Sequence, residues 1–379
     1  MSTRTSNGPG IATRVFGSQW FVSVLAVLIA FAIGAILIAL SGASVVDAYY
    51  AMFRGSIVDP NAANAVRMIK PLTDSLFYSI PLIISGLGLA LGFRAGLFNI
   101  GGKGQIIVGA LAAVWVGFAV SLPPVVHTLV ALLVAVIAGG LYGGIAGVLK
   151  AKTGANEVIV TIMLNSIATL GLGYTLAQKA WQVPGTNQPV TPKVADSAAF
   201  ARLLPAPFKL HVGFLVALVA LVAFWWLIER STLGFQIRAV GANAAAARTA
   251  GISVERITAI TMVLSGAFLG LAGANEALGT IGYVSRDVAG SIGFDAITVA
   301  LLGRNKTWGT FGAGLLFGAF KAGGYTMQAK GVPIDMILIL QSVIVLLIAA
   351  PALVRWLFRL PDVRALAANT RKGNADEHK

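Results

Sequence analysis

Residues 125–149 read VVHTLVALLVAVIAGGLYGGIAGVL, a run of 25 residues without a single Asp, Glu, Lys or Arg. An α-helix rises about 1.5 Å per residue, so about 20 apolar residues cross the roughly 30 Å hydrocarbon core of a bilayer. A helix over this run therefore has both the length and the composition of a transmembrane span.

The composition of the whole chain extends this interpretation to most of its length. Hydrophobic residues make up 57% of the 379 residues and charged residues 11%, and the mean hydropathy is +0.84. A soluble domain holds roughly 45–50% apolar and about 25% charged residues, and its core could not bury the excess found here. The chain is therefore predicted to be an all-α polytopic membrane protein.

Nine further apolar runs bring the predicted number of transmembrane segments to about ten. In chain order the ten runs are residues 20–40, 72–91, 97–122, 125–149, 158–177, 212–228, 257–279, 292–302, 311–327 and 336–351. The first is longer than a signal-peptide core of about 7–15 residues and is interpreted as a retained anchor. Run 292–302 contains Asp295 and is too short to cross the bilayer, so it is predicted to be a half-helix or a span completed by less apolar flanks.

The basic residues between the runs predict the direction of the first crossing. With the N-terminus inside, alternation places seventeen Lys and Arg residues in cytoplasmic segments and nine in extracytoplasmic ones. Cytoplasmic loops are enriched in Lys and Arg, so both termini are predicted to be cytoplasmic. The expected domains are a tail over residues 1–19, a transmembrane domain over 20–360 and a polar tail over 361–379. This distribution explains the net charge of +14 without a nucleic-acid ligand.

Several chemistries are excluded by residues that the chain lacks. It has no cysteine and only three histidines, none at metal-ligand spacing, so we expect neither a thiolate nor a zinc site. The nearest approach to a phosphate-binding loop is residues 101–105, where Gly104 stands in place of the Ser or Thr that binds magnesium. The chain is therefore predicted to have no catalytic residues, to bind no metal or cofactor and to hydrolyse no ATP by itself.

Polar side chains inside the apolar runs are candidates for a translocation path. Each costs free energy in lipid unless it faces the bundle interior or a wet cavity. The candidates are Asn99, Gln105, Asn165, Glu276 and Asp295. Interhelical hydrogen bonding is an alternative role for most of them, and it stays open. No ladder of carboxylates follows one helix, which argues against an ion-coupled carrier.

Glycine recurs at four-residue spacing within the runs, and the chain has 44 glycines in total. Gly139 and Gly143 lie in one run, and Gly266 and Gly270 lie in another. Small residues at this spacing let helices approach closely in lipid, where no hydrophobic effect drives their association. We therefore expect tight helix packing at these positions.

The segment between the sixth and seventh runs combines helix signals with a lack of bulk. Asn243 is a predicted N-cap, residues 244–250 a short helix, and Gly251 its left-handed stop. Such a short helix is unstable alone and requires a tertiary partner. It is predicted either to insert into a groove of another protein, with Arg238 and Arg248 available for carboxylates at the rim, or to pack on its own bundle.

Four stretches of sequence together resemble one family. They are RAVGANAAAARTAGI at residues 238–252, FRAGLFNIG at 93–101, GANEVIVTIMLN at 154–165 and GFDAITVALLG at 293–303. In these stretches the chain is similar to permease subunits of bacterial ABC importers in the ribose and branched-chain amino acid superfamily, and most similar to those of nucleoside importers. The similarity runs over residues 71–351, and one departure is Lys103, where the family more often has Glu.

The resemblance implies a cytoplasmic coupling loop over residues 229–256. Its implied site residues are Arg238, Gly241, Asn243, Ala246, Ala247, Arg248 and Gly251. It further implies a multi-pass protein of the bacterial cell membrane. The implied partners are cytoplasmic ATPase subunits that use ATP and magnesium, an extracytoplasmic substrate-binding lipoprotein, and a second permease that forms a homo- or heterodimer with this chain. The implied solute is a nucleoside. A permease for simple sugars or another small polar solute is one alternative, and an ATP-independent channel or secondary carrier is another.

Overall fold

The computed structural model describes residues 19–333 together with the short pieces 338–339, 342–343 and 346–347. Within this part of the chain all regular structure is helical, and an isolated bridge pairs Arg202 with His211. The predicted all-α class is confirmed for these residues. The tenth predicted segment, residues 336–351, and both predicted tails lie largely outside them.

Twelve α-helices follow one another in the described ranges. They are α1 (Gln19–Leu40), α2 (Val45–Ser56), α3 (Ala65–Arg94), α4 (Gly102–Ala119), α5 (Val126–Thr153), α6 (Glu157–Ala177), α7 (Gly213–Arg230), α8 (Thr232–Ala242), α9 (Ala244–Thr249), α10 (Val254–Asn275), α11 (Ile292–Leu302) and α12 (Thr307–Gln328). A 3-10 turn at Lys179–Trp181 follows α6, and a π-helical turn at Glu276–Thr280 continues α10. The described residues up to Ala51 and from Met327 onward form one compact unit, and Met52–Thr326 form a second.

Six helices in the described part of the chain are long and apolar enough to cross a membrane. They are α3, α4, α5, α6, α7, and α10 with its π-helical turn. α11 has the bounds of the eighth predicted run and, at 11 residues, is too short to span alone, so the choice between a half-helix and a span completed by its flanks stays a prediction. α1 and α12 each have 22 residues. The chain is thus a polytopic membrane protein, whereas the number of ten crossings and the cytoplasmic termini stay predictions.

In the first unit, α1 turns back into α2. Gly42 supplies a left-handed residue after α1, at φ +82. The Tyr49 hydroxyl donates to the backbone oxygen of Phe31, and the two rings meet edge to face with centroids 5.4 Å apart. These contacts fix the start of α2 against α1.

α10 lies at the centre of the second unit and packs on α3, α4 and α5. Glycine residues allow α10 to cross closely over α5. A Cβ on Gly266 would lie 2.3 Å from the carbonyl oxygen of Gly139, and a Cβ on Gly270 would lie 2.3 Å from the carbonyl oxygen of Ala135. The crossing therefore brings the two backbones into contact. The close packing predicted from the glycine spacing is confirmed here.

The connection between α3 and α4 differs from the prediction. The third apolar run begins at Leu97, but α4 begins only at Gly102. The intervening backbone bonds to side chains of α6: Ile100 N donates to Thr161 Oγ1 (3.2 Å), and Ile100 O accepts from Asn165 Nδ2 (2.8 Å). Because these side chains satisfy the backbone, the segment needs no helical bonds of its own, and the expectation of a helical run from Leu97 was wrong.

Contacts between loops agree with the predicted sidedness of the chain. At one end, Arg94 Nε donates to Asn305 O (2.8 Å), and Gly241 packs against the backbone of Arg94. All three residues belong to segments predicted to be cytoplasmic. At the other end, Ala195 N donates to Gly117 O (2.8 Å), which joins the long loop after α6 to the end of α4.

Candidate functional site

The segment between α7 and α10 is built from two short helices, each with a side-chain N-cap. Ser231 caps α8, and Asn243 Oδ1 accepts a hydrogen bond from Ala246 N (3.0 Å) at the start of α9. α9 ends at Thr249, one residue earlier than expected, and Gly251 follows in the left-handed region at φ +82. The structure thus contains the cap, the short helix and the stop that the sequence indicates.

The surface of α9 distinguishes two alanines that look equivalent in the sequence. Five of its six residues are exposed, and only Ala247 is buried, with 4% of its surface accessible. Ala246 faces outward, whereas Ala247 packs within the chain, and its carbonyl accepts from Ile252 N (3.0 Å). Both alanines line the groove beside α8, but Ala246 presents more of its surface to a partner than Ala247 does.

Both arginines of the segment have acidic partners within the chain. Arg238 donates to Ile228 O and lies 3.4 Å from Glu229 Oε2, while Arg248 Nη2 lies 2.5 Å from Glu255 Oε1. The side chain of Arg248 is still 65% exposed, and an ion pair at the surface contributes little to stability because water screens it. Arg248 can thus exchange Glu255 for another carboxylate at little cost, whereas Arg238 holds α8 to the end of α7.

Gly241 lies where α8 meets the end of α3. A Cβ on Gly241 would lie 2.1 Å from the backbone oxygen of Arg94 and 2.9 Å from the backbone carbon of Ala95. No side chain fits this contact without moving a helix. Gly241 is therefore needed to seat the segment on the membrane domain.

α8 and α9 border an open and mostly apolar groove of about 550 Å³. Its lining includes Phe235, Ala239, Ala242, Ala246 and Ala250. Phe235 exposes 60% of its surface, and exposed apolar patches of this kind mark interaction sites. Sequence reasoning missed Phe235, although a lone aromatic ring in a segment of small and polar residues was the available signal.

Three of the five path candidates lie in one buried hydrogen-bonded cluster. Asn99 Nδ2 donates to Gln105 Oε1 and to Ser265 Oγ, both at 3.0 Å. Asn165 Oδ1 accepts from Gly104 N at 2.7 Å. The three amide side chains are 9% exposed or less. Together they hold the start of α4 and the connection before it against α6 and α10.

Asn165 also borders an open pocket of about 610 Å³ beside α6. Lys103, Ser166 and Phe294 line the same pocket, and Phe294 is 54% exposed. The pocket therefore lies between α6 and the N-terminal ends of α4 and α11.

The other two path candidates lie at the π-helical turn and near the start of α11. Glu276 is buried and accepts a hydrogen bond from Thr280 Oγ1 (3.1 Å), and Asp295 accepts one from Ser291 Oγ (2.6 Å). Lys321 on α12 interacts electrostatically with both carboxylates. Two acidic groups and one basic group thus lie between α10, α11 and α12, next to the kind of π-helical turn that is frequent at functional sites.

Glu276, Asp295 and Lys321 bring acidic and basic groups together. Within the described residues, no three His, Asp or Glu side chains lie together as metal ligands do. Glu276 and Asp295 are partly balanced by the charge of Lys321. Such a set can offer both donors and acceptors to an uncharged polar solute.

His211 is a buried residue just before the start of α7 that sequence analysis did not assign. Gly213 N donates to its Nδ1 (3.1 Å), which assigns the ring proton to Nε2, and Nε2 has no partner among the described residues. The rings of Phe77 and Phe200 lie 5.4 and 5.5 Å from the imidazole. Burial lowers the pKa of His211 to about 4, so the ring is neutral near pH 7.

Comparison with known proteins adds to this geometry. Residues 72–349 match the family described as the branched-chain amino acid transport system / permease component. The chain is 40% identical to the guanosine ABC transporter permease protein NupP of Bacillus subtilis over 349 residues, which cover 89% of this chain and 95% of that protein. No solved structure matches the chain.

Two further relatives differ in the solute that their names give. The chain is 35% identical to the glucose ABC transporter permease protein TsgB13 of Haloferax volcanii over 333 residues, which cover 85% of each protein. It is 32% identical to the nucleoside ABC transporter permease protein NupB of Lactococcus lactis over 359 residues, which cover 92% of this chain and 95% of that one. The similarity therefore extends over nearly the full length of permeases for two classes of polar solute.

Proposed function

Because the chain belongs to the branched-chain amino acid transport system permease family, we propose that it forms the translocation path of an ABC importer for nucleosides. It is the permease component of an ABC transporter, and ATP hydrolysis takes place on a separate ATPase subunit. The resemblance drawn from the four sequence stretches is confirmed. The ATP-independent channel or carrier is no longer a competing interpretation.

The choice of a nucleoside depends on one observation, the 40% identity to a guanosine permease over 95% of its length. A sugar is the second candidate because a glucose permease is 35% identical over 85% of its length. Both solutes are uncharged and rich in hydroxyl groups. Glu276, Asp295 and Lys321 are suited to such a solute, and we place the translocation path along them.

The amide cluster has a different part in this proposal. Asn99 and Gln105 are hydrogen-bonded to each other, and Asn99 also bonds to Ser265. Asn165 bonds to the backbone before and at the start of α4. We infer that they position α4 and the pocket beside α6. Contact with the solute at this level would come from neighbours that have free polar groups, such as Lys103 and Ser166.

We infer that the ATPase docks on the groove between α8 and α9. Phe235 and Ala246 offer it an exposed apolar contact, and Arg248 offers a charge at the edge. A shift of this segment is carried to α3 through the backbone contact of Gly241 with Arg94. Arg94 in turn bonds to Asn305 after α11, so the same shift reaches the short helix that carries Asp295. This chain of contacts gives ATP-driven closure a route to the proposed path.

The remaining partners follow from the type of machine. An ABC importer of this family works with a substrate-binding protein, which we propose to be an extracytoplasmic lipoprotein. We further propose that a second permease pairs with this chain in the bacterial cell membrane and that α9 faces the cytoplasm. The exposed apolar side chains of α6, among them Ile159, Met163 and Leu170, require lipid or such a partner to cover them.

The solute is tested by competition for uptake. Cells that lack their own nucleoside uptake would express the complete transporter and receive labelled guanosine with an excess of unlabelled guanosine, inosine or glucose. We expect the two nucleosides to compete and glucose to have no effect. Displacement by glucose, or no uptake of guanosine above the empty strain, would exclude the nucleoside assignment.

The docking surface is tested by single-cysteine labelling, which is direct because the chain has no native cysteine. Ala246→Cys would be labelled with a maleimide in membranes that contain or lack the ATPase subunit. Lys152→Cys, exposed at the end of α5 on the same side, is the matched control. We expect the ATPase to protect position 246 and to leave position 152 unchanged. Equal labelling of position 246 in both membranes would rule out docking in the groove.

A further inference from the structure

A third cavity lies at the ends of α3 and α7 and at the start of α12, and Arg94 is the residue that it shares with the proposed coupling route. It has a volume of about 720 Å³. Its lining carries three basic side chains, Arg94, Arg230 and Lys306, and one acidic side chain, Glu229. The three cations exceed the single carboxylate by two charges, so the cavity is suited to an anion.

Two of the three cations are available to a ligand. Arg94 is held by Asn305 O (2.8 Å) and lies 3.9 Å from Glu229. Arg230 lies over the ring of Trp225, 5.4 Å from its centroid. Neither Arg230 nor Lys306 has an acidic partner within 4.0 Å in the part of the chain that the structure describes. An anion in the cavity would supply that partner.

The cavity lies at the ends of two helices that can cross the membrane, which is where we expect the lipid headgroup layer. α3 and α7 are apolar enough to cross the membrane, and Arg94 and Arg230 are their last residues. Trp225 and Trp308 line the cavity, and Trp308 is 66% exposed. Tryptophan is enriched where hydrocarbon meets headgroups, because its ring is apolar and its N–H is polar. The cavity is therefore placed to receive a phosphate with acyl chains beside it.

We propose that this cavity binds the phosphate headgroup of an anionic phospholipid in the cytoplasmic leaflet. Basic pockets between transmembrane helices on the cytoplasmic side bind such headgroups through charge and hydrogen bonds. Thr307, Trp308 and Gly309, the first turn of α12, also line the cavity, and the N-terminus of a helix favours phosphate. Free phosphate shares this chemistry, but it leaves the exposed tryptophans unused. The assignment rests on the proposed orientation of α9 toward the cytoplasm and is independent of the solute.

The test is lipid binding by the purified full-length chain, measured by native mass spectrometry with phosphatidylglycerol or phosphatidylcholine. The variant Arg230→Gln with Lys306→Gln removes the two available cations and leaves Arg94 in its structural bond. Each basic residue near an anionic membrane surface contributes to lipid affinity, so the loss of two should weaken phosphatidylglycerol binding roughly thirtyfold. Phosphatidylcholine binding should not change. Lys152→Gln, which removes one positive charge elsewhere on this side, should bind phosphatidylglycerol as the wild type does.

Charge-preserving changes separate binding from a folding defect. Arg230→Lys with Lys306→Arg should keep phosphatidylglycerol binding within a few-fold of the wild type. Equal binding of phosphatidylglycerol by the wild type and the Gln variant would overturn the proposal. So would full displacement of the lipid by inorganic phosphate, which would identify a site for the free ion. Loss of ATPase co-purification with unchanged lipid binding would instead identify a protein contact. Because the assay uses the permease without transport, a failed guanosine uptake test leaves this result unaffected.

Discussion

Replacement of Asn165 by Leu is expected to destabilise the fold before it affects the solute. Asn165 accepts from Gly104 N (2.7 Å) and donates to Ile100 O (2.8 Å), so leucine leaves two buried backbone groups without these bonds. Unpaired groups in a soluble core would cost about 1–3 kcal/mol each. Interhelical hydrogen bonds in membranes are worth less, about 0.6 kcal/mol on average and about 1.7 at most. We therefore expect the free energy of unfolding to fall by about 1–3 kcal/mol.

The neighbouring Ser166 provides the matched control. It is exposed in the same open pocket and makes no hydrogen bond with the described residues, so Ser166→Ala should leave stability unchanged. Unfolding of the purified full-length proteins in mixed micelles would be compared with guanosine uptake per inserted permease. An Asn165→Leu protein with wild-type stability but no uptake would refute a positioning role and assign Asn165 to the solute path.

Four other positions give predictions of their own. Gly270→Ala places a Cβ 2.3 Å from a carbonyl oxygen of α5 and should lower the free energy of unfolding by about 1–3 kcal/mol. The control is Gly171→Ala, whose Cβ would have nothing within 4 Å and which should be neutral or stabilising. Equal unfolding midpoints for the two variants would contradict the close crossing. The pKa of His211 falls from its ordinary value of 6.5 to about 4 on folding, so between these pH values the folded state binds fewer protons than the unfolded state. The free energy of unfolding should therefore decrease by about 3 kcal/mol as the pH falls from 6.5 to 4. His211→Gln should lose less over this range, and an unchanged pH profile of unfolding would refute the assignment. Asp295→Ala should reduce uptake more than membrane expression, whereas a parallel loss of both would indicate a folding role. A reporter active only in the cytoplasm should fail when fused at Pro192, and activity there would overturn the topology.

The sequence predicts well what depends on local periodicity and on small residues. The short α11 was predicted residue for residue, because an apolar run of that length cannot cross a bilayer. Gly266 and Gly270 were predicted to pack closely because their four-residue spacing places them on one helix face. In both cases the prediction depends on the length or the residue spacing of a single helix, which the sequence shows directly.

The sequence does not predict roles that depend on distant partners. Asn99 looks like a path residue in an apolar run, but its hydrogen-bond partner Ser265 is 166 positions away. Ala246 and Ala247 look equivalent because the rotation of a six-residue helix is set by what it packs on. Hydrophobic pattern alone cannot supply either fact.

The proposed coupling through α9 is the central claim, and the structure determines which alanine tests it. Both alanines line the groove, but Ala246 is exposed and Ala247 is buried, so Ala246→Arg changes the docking surface with less disturbance of the fold than Ala247→Arg. Overfilling a fitted contact costs about 1–3 kcal/mol, and an unpaired buried charge adds to that cost. Weakened docking should separate ATP hydrolysis from movement of the solute.

The most direct measurement is uptake of labelled guanosine into proteoliposomes that contain the complete transporter, with and without enclosed ATP. We predict ATP-dependent uptake for the wild type. For Ala246→Arg we predict that uptake and substrate-stimulated ATP hydrolysis are lost together, while the permease remains inserted. Uptake by the wild type without ATP, or wild-type uptake by Ala246→Arg, would show that α9 does not couple the ATPase to transport.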